Sequence, residues 1–142
     1  MQLPITVGHA VSTGAGVIGS VVTFAFGGWT EALTLLLVAM GIDYVTGVAS
    51  ALFRKHGERG LSSAAGFRGL AMKGFMLLVI LLAHRIDLLL GSGDVAMSGA
   101  IYFYIANELI SIAENYSELG LPFPQKLRSI IAVLRNKDSG PE

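Results

Sequence analysis

The sequence predicts an all-α integral membrane protein with three to four transmembrane helices and a short amphipathic C-terminal helix. Three observations carry this. Hydrophobic residues make up 53% of the 142 and charged residues only 14%, against about 25% charged in an ordinary soluble domain. Mean hydropathy is +0.65. Apolar stretches of about 20 residues, the length that crosses a hydrocarbon core, alternate with short polar connectors. Charges this sparse would cover a small water-soluble domain thinly, so lipid is the better solvent for the chain. The 10 Lys+Arg balance the 10 Asp+Glu, which with the apolar composition excludes a disordered chain, a collagen and a nucleic-acid binder with a basic surface. With Cys at 0 there is no disulfide framework and no thiolate site.

Residues 1–142 read as a single membrane domain. The opening MQLPITVGHA lacks a basic n-region, so a cleaved signal peptide is not expected. From Leu3 to Thr30 no Lys, Arg, Asp or Glu occurs, and a Gly-rich first helix is placed at about 5–27. Its Gly8, Ser12, Gly16 and Ser20 recur every fourth residue on one face, the small-residue spacing that lets helices approach closely in lipid. The helix either spans or lies at the interface as a flexible arm. Gly14, Gly16 and Gly19 also spell GxGxxG, but no βαβ pattern surrounds them, and the dinucleotide reading fails.

The second helix, 32–53, holds Asp43 near its middle. An Asp there costs about 2.5–3.5 kcal/mol on the insertion scale, which the surrounding Leu and Val offset at about 0.3–0.6 kcal/mol each. A basic connector, 54–69, carries Arg54, Lys55, Arg59 and Arg68, with Lys73 just beyond. The third helix, 70–90, has an uncharged centre too short to span alone. It spans if Lys73 snorkels to one interface and His84, Arg85 and Asp87 sit near the other. After a turn at Gly91–Asp94 the fourth helix, 95–114, starts apolar and becomes polar through Asn107, Glu108, Ser111, Glu114 and Asn115. Gly120, Pro122 and Pro124 stop it. In the tail, 122–142, Leu127, Ile130, Ile131 and Leu134 run beside Lys126, Arg128 and Arg135, a short helix suited to an anionic membrane surface.

The basic residues orient the chain. The connector through Lys73 and the tail hold all of them except Arg85, while the turns near Glu31 and Asp94 hold acids, so connector and tail are expected in the cytoplasm. Asp43 and Glu108 then lie at similar depth on two helices running the same way. Asp43, Thr46, Gly47, Ser50 and Arg54 share one face; Asn107 or Glu108, Ser111 and Glu114 or Asn115 share another. Polar stripes of this kind avoid acyl chains. They form either a satisfied network inside the bundle, with Lys73 as a partner for the acids, or the lining of an aqueous lesion once several chains gather.

Enzymatic readings find little support. His84 and Asp87 share a helix face, but among three histidines there is no HExxH and no second ligand cluster. His84 is read as an interfacial polar anchor, with Arg54, Arg68, Lys73 and Asp87 anchoring the connector and interfaces. Ser62 and Ser63 lack a nucleophile elbow. The sequon Asn115-Tyr116-Ser117 falls on the expected cytoplasmic side, where it is silent. No catalytic residue, metal ligand or cofactor is expected.

The ordered set Asp43-Tyr44-Val45-Thr46-Gly47, Leu61-Ser62-Ser63, Gly66-Phe67-Arg68-Gly69 with Lys73, Ala83-His84 with Asp87, Tyr104 to Asn115, and Gly120-Leu121-Pro122-Phe123-Pro124 with Leu127 resembles the small phage-lysis and toxin-secretion holins of Gram-positive bacteria and their phages. It covers roughly Leu33 to Leu134. The resemblance implies a non-enzymatic protein that accumulates in the cytoplasmic membrane, assembles as a homo-oligomer in the bilayer and permeabilises it. A cell-wall hydrolase (endolysin), or in some relatives a large toxin, leaves by that route. Many holins have two nearby start methionines; here Met40 is the next after Met1. Alternative readings are an oligomeric ion or proton channel or transporter subunit using the intramembrane acids, and a non-opening scaffold or antiholin-like partner.

Overall fold

The computed structural model describes residues 5–53 and 62–138, with side-chain detail over 7–53 and 62–133. The described chain is five helices: α1 (Ile5–Phe26), α2 (Glu31–Phe53), α3 (Ser63–Leu90), α4 (Val95–Glu118) and α5 (Gln125–Asp138). The first four are long and apolar enough to cross a membrane. Helix is what apolar segments of this length must form in lipid, since only a helix satisfies every backbone N–H and C=O within the segment.

Local chemistry sets the ends. Ser62 caps α3, its hydroxyl accepting from the Ala65 N–H at 3.1 Å. Gly91, at φ 64°, closes the other end in the left-handed conformation that glycine takes without strain. Because Ser62 nucleates the helix, α3 begins at Ser63, inside the stretch assigned to the connector, and Arg68 is an exposed helical residue. Helix α4 runs on to Glu118, beyond the expected 114, until Leu119 and Gly120 (φ 69°) turn the chain toward Pro122. Arg54 and the rest of 54–61 lie outside the described residues.

The core is a three-helix wedge. Leu36 and Met40 of α2, Ile80 and Ala83 of α3, and Met97, Ile101 and Ile105 of α4 form one buried cluster. α2 and α4 run parallel, with α4 in the most extensive contact, and α3 runs antiparallel beside them. α1 packs against α3, and α5 contacts α4; Ile131 is the buried residue of α5. The outer surface is apolar: Leu35, Val38, Val45, Phe75, Leu78, Leu82, Tyr102 and Phe103 are all exposed. A water-soluble monomer rarely carries contiguous apolar surface on this scale. Apolar outside and ionic inside is the arrangement for a bilayer.

Candidate functional site: an ionic network between α2, α3 and α4

Three helices each contribute charge to one point. The Lys73 ammonium donates to Asp43 Oδ2 at 2.8 Å and to Glu108 Oε2 at 2.5 Å. Two carboxylates therefore share one cation, and Glu108 is only 2% exposed. Asn115 extends the network: its amide donates to Asp43 Oδ1 at 3.0 Å, to the Asp43 carbonyl at 3.2 Å and to Thr46 Oγ1 at 3.0 Å. The Thr46 hydroxyl donates to the Ile42 carbonyl at 2.8 Å. One turn further on, the Ser50 hydroxyl donates to the Glu118 carboxylate. α2 and α4 are thus zipped by polar groups along their C-terminal halves and by apolar packing along their N-terminal halves.

The network borders a cavity of about 340 Å³ between the three helices. Asp43, Lys73, Asn107, Glu108, Ser111 and Asn115 supply its polar side; Tyr44, Met72 and Met76 supply apolar wall. Gly47 lines the same cavity, and a Cβ there would meet the Asn115 amide nitrogen at 3.5 Å, an ordinary van der Waals contact. In a low-dielectric interior, charges persist only when paired and hydrogen-bonded. Such a pairing is tight while the helices stay together, and costly to break unless water replaces it.

The structure sorts the sequence candidates. Asp43, Thr46, Gly47, Asn107, Glu108 and Ser111 come to the cavity or its network, whereas Glu114 is exposed and outside it. Helical register explains this: seven residues bring Asn115 back to the face of Glu108, while six leave Glu114 on the far side. Of the two sequence readings of Lys73, the structure has it as a partner for the acids and not as an interfacial anchor, because the earlier start of α3 carries it ten residues, or ~15 Å, into the helix. Its spacing of seven from Ile80 and of fourteen from Asp87, both buried, was the available signal.

His84 and Asp87 also differ from surface anchors. Asp87, 1% exposed, accepts from the Ala96 N–H at 3.0 Å, the Met97 N–H at 2.8 Å and the Ser92 hydroxyl at 2.6 Å, capping α4 from α3. His84 is buried against Gly27, beyond the end of α1. Gly8, Ser12, Gly16 and Ser20 are exposed; a Cβ at Gly8 or Gly16 would meet nothing within 4 Å. The Ser12 and Ser20 hydroxyls bond back to carbonyls of their own helix at 3.0 and 2.8 Å. Among the described residues no group of His, Asp and Glu converges as a metal site.

The fold and its internal ion network define a polytopic helical membrane protein. Residues 20–136 match the bacteriophage holin family, and the chain belongs to that family. It is 42% identical over 121 residues to the uncharacterized 14.9 kDa protein in nagH 3'region of Clostridium perfringens, covering 84% of this chain and 89% of that one. It is 35% identical over 124 residues to the uncharacterized protein Lmo0128 of Listeria monocytogenes (87% and 86% covered). A probable holin of Bacillus phage phi105 is 32% identical over 109 residues, with 77% and 78% covered. No solved structure matches.

Proposed function

We propose that the protein is a holin that oligomerises in the cytoplasmic membrane and forms lesions wide enough to release an endolysin for host lysis, or a large toxin. The observation that carries this is the ionic face held inside an apolar-coated bundle. Asp43, Lys73, Glu108 and Asn115 satisfy one another while α2, α3 and α4 stay together. If chains gather and the helices separate, the same groups suit an aqueous wall, and the apolar exteriors still suit lipid. Family membership and the phage relative support this reading. One chain with so few helices encloses no wide channel, so lesion formation requires several copies. The exposed small-residue face of α1 is the candidate contact. The basic connector and tail face the cytoplasm on the positive-inside rule, with the amphipathic α5 on the leaflet surface.

Expression of the chain alone in a bacterium, with a folded cytoplasmic reporter of endolysin size, tests it. Sudden release of the reporter at a set time is expected. Loss of ions without the reporter would identify the channel or transporter alternative, and an intact membrane would identify a scaffold or antiholin-like partner.

A further inference from the structure

The cavity beside the ionic network has polar lining that the network leaves unused. Lys73 engages Asp43 Oδ2 and Glu108 Oε2, and Asn115 engages Asp43 Oδ1. Among the described residues no N–H or O–H donates to Glu108 Oε1, and the Asn107 amide and Ser111 hydroxyl bond to no other group of the chain. These three residues adjoin on α4, and all border the cavity. Beyond them the wall turns apolar through Val48, Met72 and Met76. Gly69 of α3 keeps space beside it, since a Cβ there would meet nothing within 4 Å. A second cavity, of about 350 Å³, reaches Ser62 and Ser63 at the start of α3 and shares Tyr44, Val48 and Gly66 with the first. The two make one path from the Ser62 end of α3 to the acids, between helices α2 and α3 that touch sparsely.

We propose that this cavity binds a small amphipathic amine, a protonated primary amine carrying a compact apolar body. Such an ammonium has three N–H donors, and α4 offers it three oxygens: Glu108 Oε1, the Asn107 side-chain carbonyl and the Ser111 hydroxyl. Charge favours it as well. Two carboxylates on one lysine leave the network a negative charge in excess, which a low-dielectric interior tolerates poorly. A second cation restores the balance, and an anion would worsen it. The apolar body then lies against Val48, Met72 and Met76. A hydrated metal ion would gain nothing from that wall, and a purely apolar ligand would leave the α4 oxygens unmet. The volume of about 340 Å³ falls in the range of small-molecule sites, about 300–1,000 Å³, which likewise pair apolar lining with a few convergent polar groups. The site belongs to the closed bundle, so it stands independently of whether several chains open a lesion.

The test uses the full chain, isotopically labelled at its methionine methyl groups, in nanodiscs of zwitterionic phosphatidylcholine. Benzylamine is the probe, and benzyl alcohol, of the same shape but uncharged, is the control. With benzylamine the NMR signals of Met72 and Met76, in the cavity wall, should shift saturably while that of Met97, buried near the other end of α4, stays in place. Benzyl alcohol should bind at least ~10-fold more weakly, the factor for losing a hydrogen bond between charged groups. Asp43→Asn removes the excess charge and should weaken benzylamine by a similar factor. Gly69→Leu fills the space and should abolish binding. Met40 and Met97 signals at their parent positions identify variants that keep the packed core. Shifts that fail to saturate, equal affinity for the two probes, or benzylamine binding unaltered by Asp43→Asn or by Gly69→Leu would overturn the proposal.

Discussion

Lys73 holds more of this bundle together than either acid it meets. With two carboxylates on one ammonium, removing the cation strands two negative charges in the interior, whereas removing one acid leaves a matched pair. Lys73→Met should therefore cost about 3–5 kcal/mol, the range for breaking a buried ion pair. Asp43→Asn should cost no more than ~1 kcal/mol, since Glu108 keeps the ammonium and the new amide still offers Asn115 an acceptor. Unfolding of both variants in nanodiscs by graded denaturing detergent would read the difference. Equal costs would show that the charge imbalance does not govern the network.

At the scale of the element, the α3–α4 hairpin depends on one carboxylate. Asp87 satisfies two of the N–H groups that open α4, which otherwise have no intrahelical partner. Asp87→Ala should destabilise the hairpin by about 2 kcal/mol and speed amide exchange at Ala96 and Met97 more than at Ile105. Uniform exchange along α4 would place the capping elsewhere. The α3 helix also shows where reading stops: Ser62 is a clear cap residue, yet the run of basic residues before it made a connector the simpler assignment for 63–69. The start at Ser63 decides between the two readings of Lys73, setting it in the interior beside the acids and not at an interface.

For the whole molecule, two predictions concern placement in the bilayer. Cysteines introduced singly at Ser62 and Ser92, at opposite ends of α3, should label from opposite faces of the membrane with an impermeant reagent. Labelling from one face would mean that α3 does not cross. Gly16→Leu adds bulk to an α1 face that meets nothing within the chain. It should leave the monomer's stability unchanged while reducing oligomer size in nanodiscs. Unchanged size would remove α1 from the contacts between copies.

Apolar length and charge placement made the helical membrane class readable, because lipid permits few other backbone solutions for such segments. The polar stripes of α2 and α4 were readable too, since helical period alone places Asp43 with Thr46, and Glu108 with Ser111. Residue spacing says which side chains share a helix face; it does not say what stands opposite. That Lys73 bridges the two acids, that Asn115 rather than Glu114 joins them, that Asp87 caps a neighbouring helix and that His84 rests on Gly27 all came from the packing of separate helices. Each depends on the rotation and axial offset of one helix against another, and many side chains jointly set those two quantities.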